Sequence, residues 1–139
     1  MVFDPQDYDI PANFRHWQGD KAEDAIGPFF FTNEGGRILT ALRAQEQHCN
    51  AHDSVHGGVL MTFADYTLCL GANGGTQQFV ATVSCNNEFL APAHKDDLLS
   101  GEAEVLKRGR SLVFVRCVLR VDQTVILSAS AVIKLLGKP

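Results

Sequence analysis

The chain has 139 residues, of which 45% are hydrophobic and 20% are charged, and its formal net charge is −4. This length fits one folded domain with its own hydrophobic core, so folding requires neither a metal nor disulfides. The acidic balance argues against a nucleic acid or an anionic membrane as the main partner, because both require a positively charged surface.

Residues 1–26 contain acids and prolines and lack the apolar segment of a secretory signal peptide. No apolar stretch has the length needed to span a bilayer. We therefore expect a cytoplasmic protein with a single domain over residues 1–139, in which residues 1–26 form a helical or irregular extension. In that setting the four cysteines are expected to be small buried hydrophobic residues rather than disulfide partners.

The first regular elements after this extension are two strands. In "GPFFFTNEGGRILTALRAQ", two extended apolar runs flank Asn33–Gly36, a pattern typical of a β-hairpin.

One long helix follows, predicted over about residues 55–72. Its apolar side chains occur nearly all round, which is typical of a buried helix, and Val59, Phe63 and Tyr66 share one stripe. The glycines and asparagine at 71–75 are expected to end it.

Four strands are predicted after the helix. Residues 79–90 form the first, and the segment 98–136 reads as three more, joined by turns at Lys107–Arg110 and Asp122–Thr124. Between 112 and 121 the alternation predicts one dry face of the sheet. The order of two strands, one helix and four strands predicts an α+β fold, with an antiparallel sheet wrapped around one long central helix.

Asp65 lies inside the predicted helix. Apart from Glu88, it is the only formally charged side chain between Ser54 and His94. A buried carboxylate costs free energy unless it is paired or used, and burial raises its basicity. A catalytic carboxylate is one interpretation. A carboxylate that faces a water-filled groove or a subunit interface, with no chemical role, is the other.

Gly57 and Gly58 stand in the first turn of the same helix. Backbone N–H groups there have no intrahelical acceptor, and the helix dipole is positive. Without side chains, the two residues let a ligand approach closely, so this terminus could polarise a carbonyl and stabilise an oxyanion. The pair could instead only permit tight packing or a bend.

Gly57 and Asp65 are eight positions apart, which separates them by about 12 Å along one helix. A carboxylate cannot reach a carbonyl held by its own helix terminus over that distance. Two antiparallel copies across a two-fold axis would bring the acid of one helix near the glycines of the other. We therefore predict an isologous dimer with two shared sites and an inert monomer.

The ordered pattern N-x5-H-G-G-x6-D resembles the hotdog-fold acyl-CoA thioesterases of the phenylacetate-degradation type. The segments "ATVSCNNEFLAPA" and "EAEVLKRGRSLVFVRCVLR" also resemble strands of that family, so the resemblance covers most of residues 28–136. It implies the hotdog fold and hydrolysis of an acyl-CoA thioester, with coenzyme A as part of the substrate and no separate cofactor. It also implies a homodimer that often pairs into a homotetramer.

The resemblance implies a role for each residue of this pattern. Asp65 would be the nucleophile or the general base that activates water. The Gly57 N–H would polarise the thioester carbonyl, and Asn50 would help to position the carbonyl or the water. His56 would fix the loop or contact the thioester, and Thr82 matches a position where the family often has a hydroxyl near the acid.

Residues for the substrate and for coenzyme A are implied in the same way. The stretch 89–92 often lines the pantetheine path in this family. The basic turn at 107–110 could bind the phosphates of coenzyme A, or it could be an ordinary solvated turn. The residues assigned to this group are Gly58, Phe89, Leu90, Pro92, Lys107, Arg108 and Arg110.

The loop before the helix has two further features. Asp53 stands where many relatives have glycine, and it could cap the helix together with Ser54. His48, His52 and His56 recur at every fourth position, which on a helix would form a metal-binding face. Because the segment reads as a loop and no further ligand completes a site, no metal is expected.

Two other functions stay open on the same fold. A non-catalytic acyl-CoA-binding or sensing module would gain little from a buried base. A hydratase or dehydratase usually presents an Asp and a His a few residues apart on the helix, and no His follows Asp65 there. Aryl, short and medium acyl groups are all compatible with the sequence.

Overall fold

The structure, a computed structural model, describes residues 2–137. The extension before residue 27 contains a 3-10 helix (Pro5–Tyr8), a short strand β1 (Arg15–His16) and a helix α1 (Lys21–Ile26). The sequence pattern did not reveal β1. No helix within the described residues is both long and apolar enough to cross a membrane.

The main body is one antiparallel sheet packed on one helix. Its elements are β2 (Phe30–Glu34), β3 (Arg37–Arg43), a 3-10 helix (Glu46–His48), α2 (Gly57–Asn73), β4 (Val80–Phe89), β5 (Leu98–Arg108), β6 (Leu112–Val121) and β7 (Thr124–Leu135). Within residues 2–137 the strand order is β1-β2-β3-β5-β6-β7-β4, and every neighbouring pair is antiparallel. The long helix α2 contacts strands β3 to β7. The α+β prediction of a sheet wrapped around one central helix is therefore confirmed.

Helix α2 is the centre of the core. Phe63 and Leu68 are fully buried, in agreement with the apolar pattern around the helix. Gly71 lets the helix approach β5 closely, because a Cβ atom there would lie 2.5 Å from the Cβ of Ala103. Gly74 ends the helix in the left-handed conformation, with a φ of 67°, and its N–H donates to the Leu70 carbonyl. The predicted glycine stop is thus confirmed.

Strand β6 has the predicted dry face. Val113, Val115, Cys117 and Leu119 are buried, whereas the side chain of Arg116 points to solvent. This alternation places β6 against α2 with a continuous apolar surface.

Strand β4 lies at the end of the sheet, and one of its edges has no partner within residues 2–137. Val83 and Phe89 on this strand are 59% and 53% exposed. A bulge between Thr82 and Ser84 shifts the register against β7. Because side chains alternate along a strand, Thr82 and Phe89 would face opposite ways without the bulge. With it, both side chains reach α2.

Candidate active site

Asp65 is half-buried in the middle of α2 and faces β4. The hydroxyl of Thr82 donates a hydrogen bond of 2.5 Å to its Oδ1. This bond fixes the orientation of the carboxylate. The structure thus brings together two residues that the sequence had assigned to one site.

Cys69 lies one helical turn after Asp65, and its Sγ is 3.8 Å from the same Oδ1. Burial, together with the negative charge of Asp65, raises the pKa of the Cys69 thiol to about 12. The thiol therefore stays protonated at neutral pH and is not a nucleophile there.

The N-terminus of α2 is capped by His56. Its Nδ1 accepts a hydrogen bond of 2.9 Å from the Gly58 N–H, and its carbonyl accepts from Val59 and Leu60. The predicted cap of Asp53 and Ser54 is therefore wrong. The reason is that the helix begins at Gly57, so that the residue before the glycines becomes the cap. The N–H groups of residues 58–60 all donate to His56, so in the first turn the Gly57 N–H is the one without an acceptor among the described residues.

The ring of Phe89 lies over Gly57. A Cβ atom on Gly57 would be 3.3 Å from the Cε1 of Phe89. Leu90 and Pro92 follow Phe89 on the same exposed segment. The helix terminus and the predicted pantetheine path therefore meet at one place on the surface.

Asn50 organises the loop that precedes α2. Its Oδ1 accepts from the N–H groups of His52 (2.8 Å) and Ser54 (3.2 Å). Asp53 between them has a φ of 60°, a left-handed conformation that glycine adopts freely and aspartate tolerates. This conformation explains a glycine or aspartate at position 53. The side-chain nitrogen of Asn50 takes no part in these two hydrogen bonds.

The two halves of the predicted site do not meet within one chain. Gly57 is covered by Phe89 at one end of β4, and Asp65 is bound to Thr82 at the other end. Along α2 the glycine and the acid are about 12 Å apart. A reaction that uses both groups requires a second copy of the chain.

The three histidines at every fourth position have separate environments. His48 is buried, and its Nε2 donates to the carbonyls of Ile26 (2.7 Å) and Gly27 (3.0 Å), while Nδ1 accepts from the Gln45 N–H. His52 is exposed, and His56 caps α2. Among residues 2–137, no group of three or more His, Cys, Asp or Glu side chains could hold a metal ion.

The basic turn lies beside the C-terminal end of α2. One nitrogen of Arg108, Nη1, donates to the Ala72 carbonyl at 2.8 Å. This contact satisfies a carbonyl that the helix leaves unpaired, a role that the sequence did not reveal. Lys107 and Arg110 are exposed on the same turn. The turn is therefore distant from Gly57 of its own chain.

A cavity of about 520 Å³ opens next to Asp65, between α1, α2 and β4. Asp65 and Thr82 lie on its wall, and Trp17, Glu23, Tyr66 and Cys69 also line it. Two of these residues come from the N-terminal extension, which the sequence analysis did not assign to the site.

Glu23 is the main residue that the sequence analysis missed. Burial, together with the charges of Asp20, Asp65 and Asp24, raises its pKa to about 8. The carboxyl group is therefore mostly neutral at pH 7. The pair Asp20 and Glu23 is a capping pattern, and Asp20 does cap α1 through the Glu23 N–H. That signal could have located the helix, though not its packing against Asp65.

Fold and site together define a class. An antiparallel sheet around one long central helix is the arrangement of hotdog-fold proteins. Residues 52–127 match the family model of the thioesterase superfamily. The chain belongs to the thioesterase superfamily, and the predicted resemblance to its PaaI-like hotdog members is confirmed.

Two relatives are similar in sequence, and the solved structure of one of them has the same fold. "Putative esterase PA0474" of Pseudomonas aeruginosa is 33% identical over 130 residues, which cover 91% of this chain and 97% of the relative. The acyl-coenzyme A thioesterase PaaI of Escherichia coli is 28% identical over 94 residues, covering 68% of this chain and 66% of PaaI. The solved structure of E. coli PaaI superimposes with a TM-score of 0.77 at 20% identity, covering 87% of this chain and 88% of that one.

A second solved structure has the same fold. It is a hypothetical thioesterase of Streptococcus pneumoniae with coenzyme A, and it superimposes with a TM-score of 0.72 at 17% identity. The match covers 79% of this chain and 87% of that one.

Proposed function

We propose that the protein hydrolyses an acyl-CoA thioester to a free acid and coenzyme A, at a site shared by two copies of the chain. One observation carries the proposal. The carboxylate of Asp65 is half-buried in an apolar helix, and Thr82 holds it in a fixed orientation at the mouth of a cavity. A carboxylate oriented in this way can act as a base or nucleophile on a substrate that enters the cavity.

The reaction follows from these groups. As a general base, Asp65 takes a proton from a water molecule while the water oxygen attacks the thioester carbonyl carbon. The Gly57 N–H of the other copy stabilises the oxyanion, the carbon–sulfur bond then breaks, and the departing sulfur takes the proton held by Asp65, so that coenzyme A leaves as thiol. As a nucleophile, Asp65 would attack the same carbon and expel the coenzyme A thiolate, which takes a proton from water, and a second water would hydrolyse the resulting anhydride. Both routes need the carboxylate of Asp65 and the Gly57 N–H of the other copy.

Pairing between the free edges of β4 would assemble the shared site. With the bulged Val83 left out of the pairing, Thr82 and Phe89 each lie three paired positions from Asn86, so a two-fold axis at Asn86 sets Thr82 of one copy opposite Phe89 of the other. Asp65 then lies beside Gly57 of the second copy. The unpaired edge and the exposed Val83 support this arrangement, since a free apolar edge favours strand pairing.

The relatives support the choice of substrate. PaaI is named an acyl-coenzyme A thioesterase, and the S. pneumoniae structure contains coenzyme A. We assign the pantetheine path to Phe89, Leu90 and Pro92. The phosphates of coenzyme A are assigned to Lys107, Arg110 and the free nitrogens of Arg108.

The experiment is a measurement of thiol release from acyl-CoA thioesters by wild type and Asp65→Asn. The asparagine keeps the shape of the side chain and an acceptor for Thr82, but it cannot take a proton. We expect turnover to fall by about a hundredfold to ten-thousandfold with unchanged thermal stability.

The matched control is Asp122→Asn, the same chemical change in the exposed turn between β6 and β7. It should retain wild-type turnover. Full activity of Asp65→Asn would remove the carboxylate from the mechanism. Binding of acyl-CoA to wild type without thiol release would favour a sensing module instead.

A further inference from the structure

We propose that Cys69 is a positioning residue: together with Thr82 it holds one oxygen of Asp65, Oδ1, and leaves the other, Oδ2, as the oxygen that reacts. The inference rests on the proposed function, because it takes Asp65 as the base or the nucleophile. It goes beyond that function by naming the reacting atom and by giving a role to a thiol that the sequence analysis did not assign to the site.

The direction of each hydrogen bond follows from the protons that are available. Thr82 has one hydroxyl proton, and it donates this proton to Oδ1 of Asp65 at 2.5 Å. The hydroxyl oxygen of Thr82 is then an acceptor, so the thiol is the donor in the contact of 3.5 Å between this oxygen and the Cys69 Sγ. The same Sγ lies 3.8 Å from Oδ1 of Asp65. The thiol proton is therefore directed at both oxygens.

Cys69 keeps its proton and directs it away from the helix backbone. Burial, together with the negative charge of Asp65, raises the pKa of the thiol to about 12, so the donor is present at neutral pH. Polar side chains within a helix often donate to the carbonyl four residues earlier, as Thr62 and Thr67 do in α2. Within residues 2–137 the Cys69 thiol instead donates to side-chain oxygens, those of Asp65 and Thr82.

The number of acceptor sites distinguishes the two oxygens of Asp65. A carboxylate oxygen accepts about two hydrogen bonds, and Oδ1 already has two donors, the hydroxyl of Thr82 and the thiol of Cys69. Oδ2 has no donor within residues 2–137. In the same range the sealed side-chain atoms without a partner are the Tyr66 Oη and the Asn87 Oδ1, so Oδ2 is accessible. Because Asp65 lines the cavity of about 520 Å³, Oδ2 is the oxygen left to meet a substrate there.

The two oxygens of Asp65 then have separate tasks. In the general-base route, Oδ2 takes a proton from water while the water oxygen bonds to the carbonyl carbon, and it passes this proton to the departing sulfur. In the nucleophilic route, Oδ2 itself bonds to that carbon and expels the thiolate. Rotation of the carboxylate would move Oδ2 away from the carbon in either route. Two donors on different elements, α2 and β4, oppose this rotation.

Cys69→Ala tests the role of the thiol in hydrolysis, because it leaves Asp65 and Thr82 unchanged. We expect kcat for thiol release to fall about tenfold with little change in KM, since the orientation of the acid is affected rather than the binding of coenzyme A. Cys69→Ser keeps a small donor at this position and should retain more of kcat. The matched control is Cys117→Ala, the same change at a buried cysteine of β6, which should keep the wild-type kcat. Thermal melting of each variant verifies that it is folded.

A double-mutant cycle distinguishes positioning from simple packing. Thr82→Val removes the other donor and keeps the shape of the side chain. Because both donors act on the same oxygen, the double variant Cys69→Ala/Thr82→Val should lose less activity than the product of the two single losses. A thiol that only fills space would give losses that multiply.

Infrared difference spectroscopy of the substrate-free protein tests the hydrogen bonds without turnover. Subtracting the spectrum of Cys69→Ala from that of wild type isolates the S–H stretching band of Cys69, and hydrogen bonding lowers the frequency of such a band. Thr82→Val removes the nearer acceptor, so the band should move to higher frequency in that variant, with Cys69→Ala/Thr82→Val as its blank. The band should be unchanged in Cys117→Ala.

The outcomes separate this inference from the proposed function. A folded Cys69→Ala protein with the wild-type kcat, or an S–H band that does not respond to Thr82→Val, would overturn the inference and leave thioester hydrolysis standing. A wild-type protein that releases no thiol from any acyl-CoA would overturn the proposed function. The infrared comparison would still decide in that case whether the thiol and Thr82 hold Oδ1.

Discussion

Asp65 and Glu23 are two carboxyl groups of one cavity with opposite surroundings. Asp65 receives a hydrogen bond from Thr82, which holds its carboxylate in one orientation. Burial, together with the charges of Asp20, Asp65 and Asp24, disfavours the charged form of Glu23. A hydroxyl therefore orients the first acid, whereas burial keeps the proton on the second.

The raised pKa of Glu23 makes stability depend on pH. The unfolded chain loses this proton near pH 4.5, whereas the folded chain keeps it to about pH 8. Between these values the folded state binds more protons, so the free energy of unfolding falls as the pH rises. Glu23→Gln cannot titrate, and its stability relative to wild type should rise from about pH 5 to about pH 8 and then level off.

Denaturant unfolding of both proteins across this range measures the difference. Glu46→Gln, at an exposed glutamate, is the control and should follow wild type. A constant difference between Glu23→Gln and wild type would show that Glu23 titrates normally.

The residues differ in how far the sequence predicted them. Asp65 was predictable because a lone charge in an apolar helix is conspicuous. Thr82 followed only from the family resemblance, since no local pattern ties a strand residue to a helix residue seventeen positions earlier. Glu23 was not predictable, because its environment depends on how α1 packs against α2. The structural role of Arg108 at the end of α2 depends on packing in the same way.

At the scale of elements, the first turn of α2 carries the amide that we propose polarises the thioester carbonyl. His56 occupies the Gly58 N–H, so one amide, that of Gly57, remains directed outwards. Gly57 is the first residue of the helix, a position where proline is well tolerated. The backbone of His56, with a ψ of 136°, is also compatible with a following proline.

Gly57→Pro therefore removes the N–H and preserves the helix. We expect kcat to fall by about a hundredfold to a thousandfold, the effect of losing one oxyanion donor. Gly57→Ala is the matched control, because it keeps the N–H and adds only a methyl group near the ring of Phe89. Thiol-release kinetics and thermal melting of the two variants give the comparison. Equal activity of the proline and alanine variants would contradict a role for this amide.

The positions of the helix and the long strands were predicted more completely than the details of strand pairing. Helix α2 was expected at about 55–72 and spans Gly57–Asn73, because its burial pattern and glycine stop are local signals. The bulge at Val83 has no such signal, since "ATVSC" reads as ordinary alternation. Strand β1 is two residues long and is held by pairing with β2, which the local sequence does not encode.

At the scale of the molecule, the position of β4 determines how the shared site that we propose would form. The strand follows α2 in sequence but lies at the far end of the sheet, next to β7. The sequence predicted that two helices must meet, because Gly57 and Asp65 are too far apart on one. It did not predict which surface brings them together, since strand order arises from pairing between distant segments.

Asn86 lies close to the two-fold axis that we propose, and its side chain is exposed. Asn86→Lys would place two like charges across an isologous interface, which disfavours pairing. We expect sedimentation velocity to show a shift towards monomer, together with loss of thiol release. Thr124→Lys adds the same charge at a distant exposed turn and should remain dimeric and active. An Asn86→Lys protein that stays a dimer would place the interface elsewhere.

The most direct test of the shared site is a heterodimer that combines Asp65→Asn in one protomer with Gly57→Pro in the other, purified through two different tags. Each homodimer should be inactive. In the heterodimer, one site loses both groups, and the other keeps an intact Asp65 from one chain and an intact Gly57 from its partner. We therefore predict that activity returns to about half the wild-type value per dimer. A heterodimer as inactive as its two parents would contradict the account, because it would mean that the acid and the amide act within one chain.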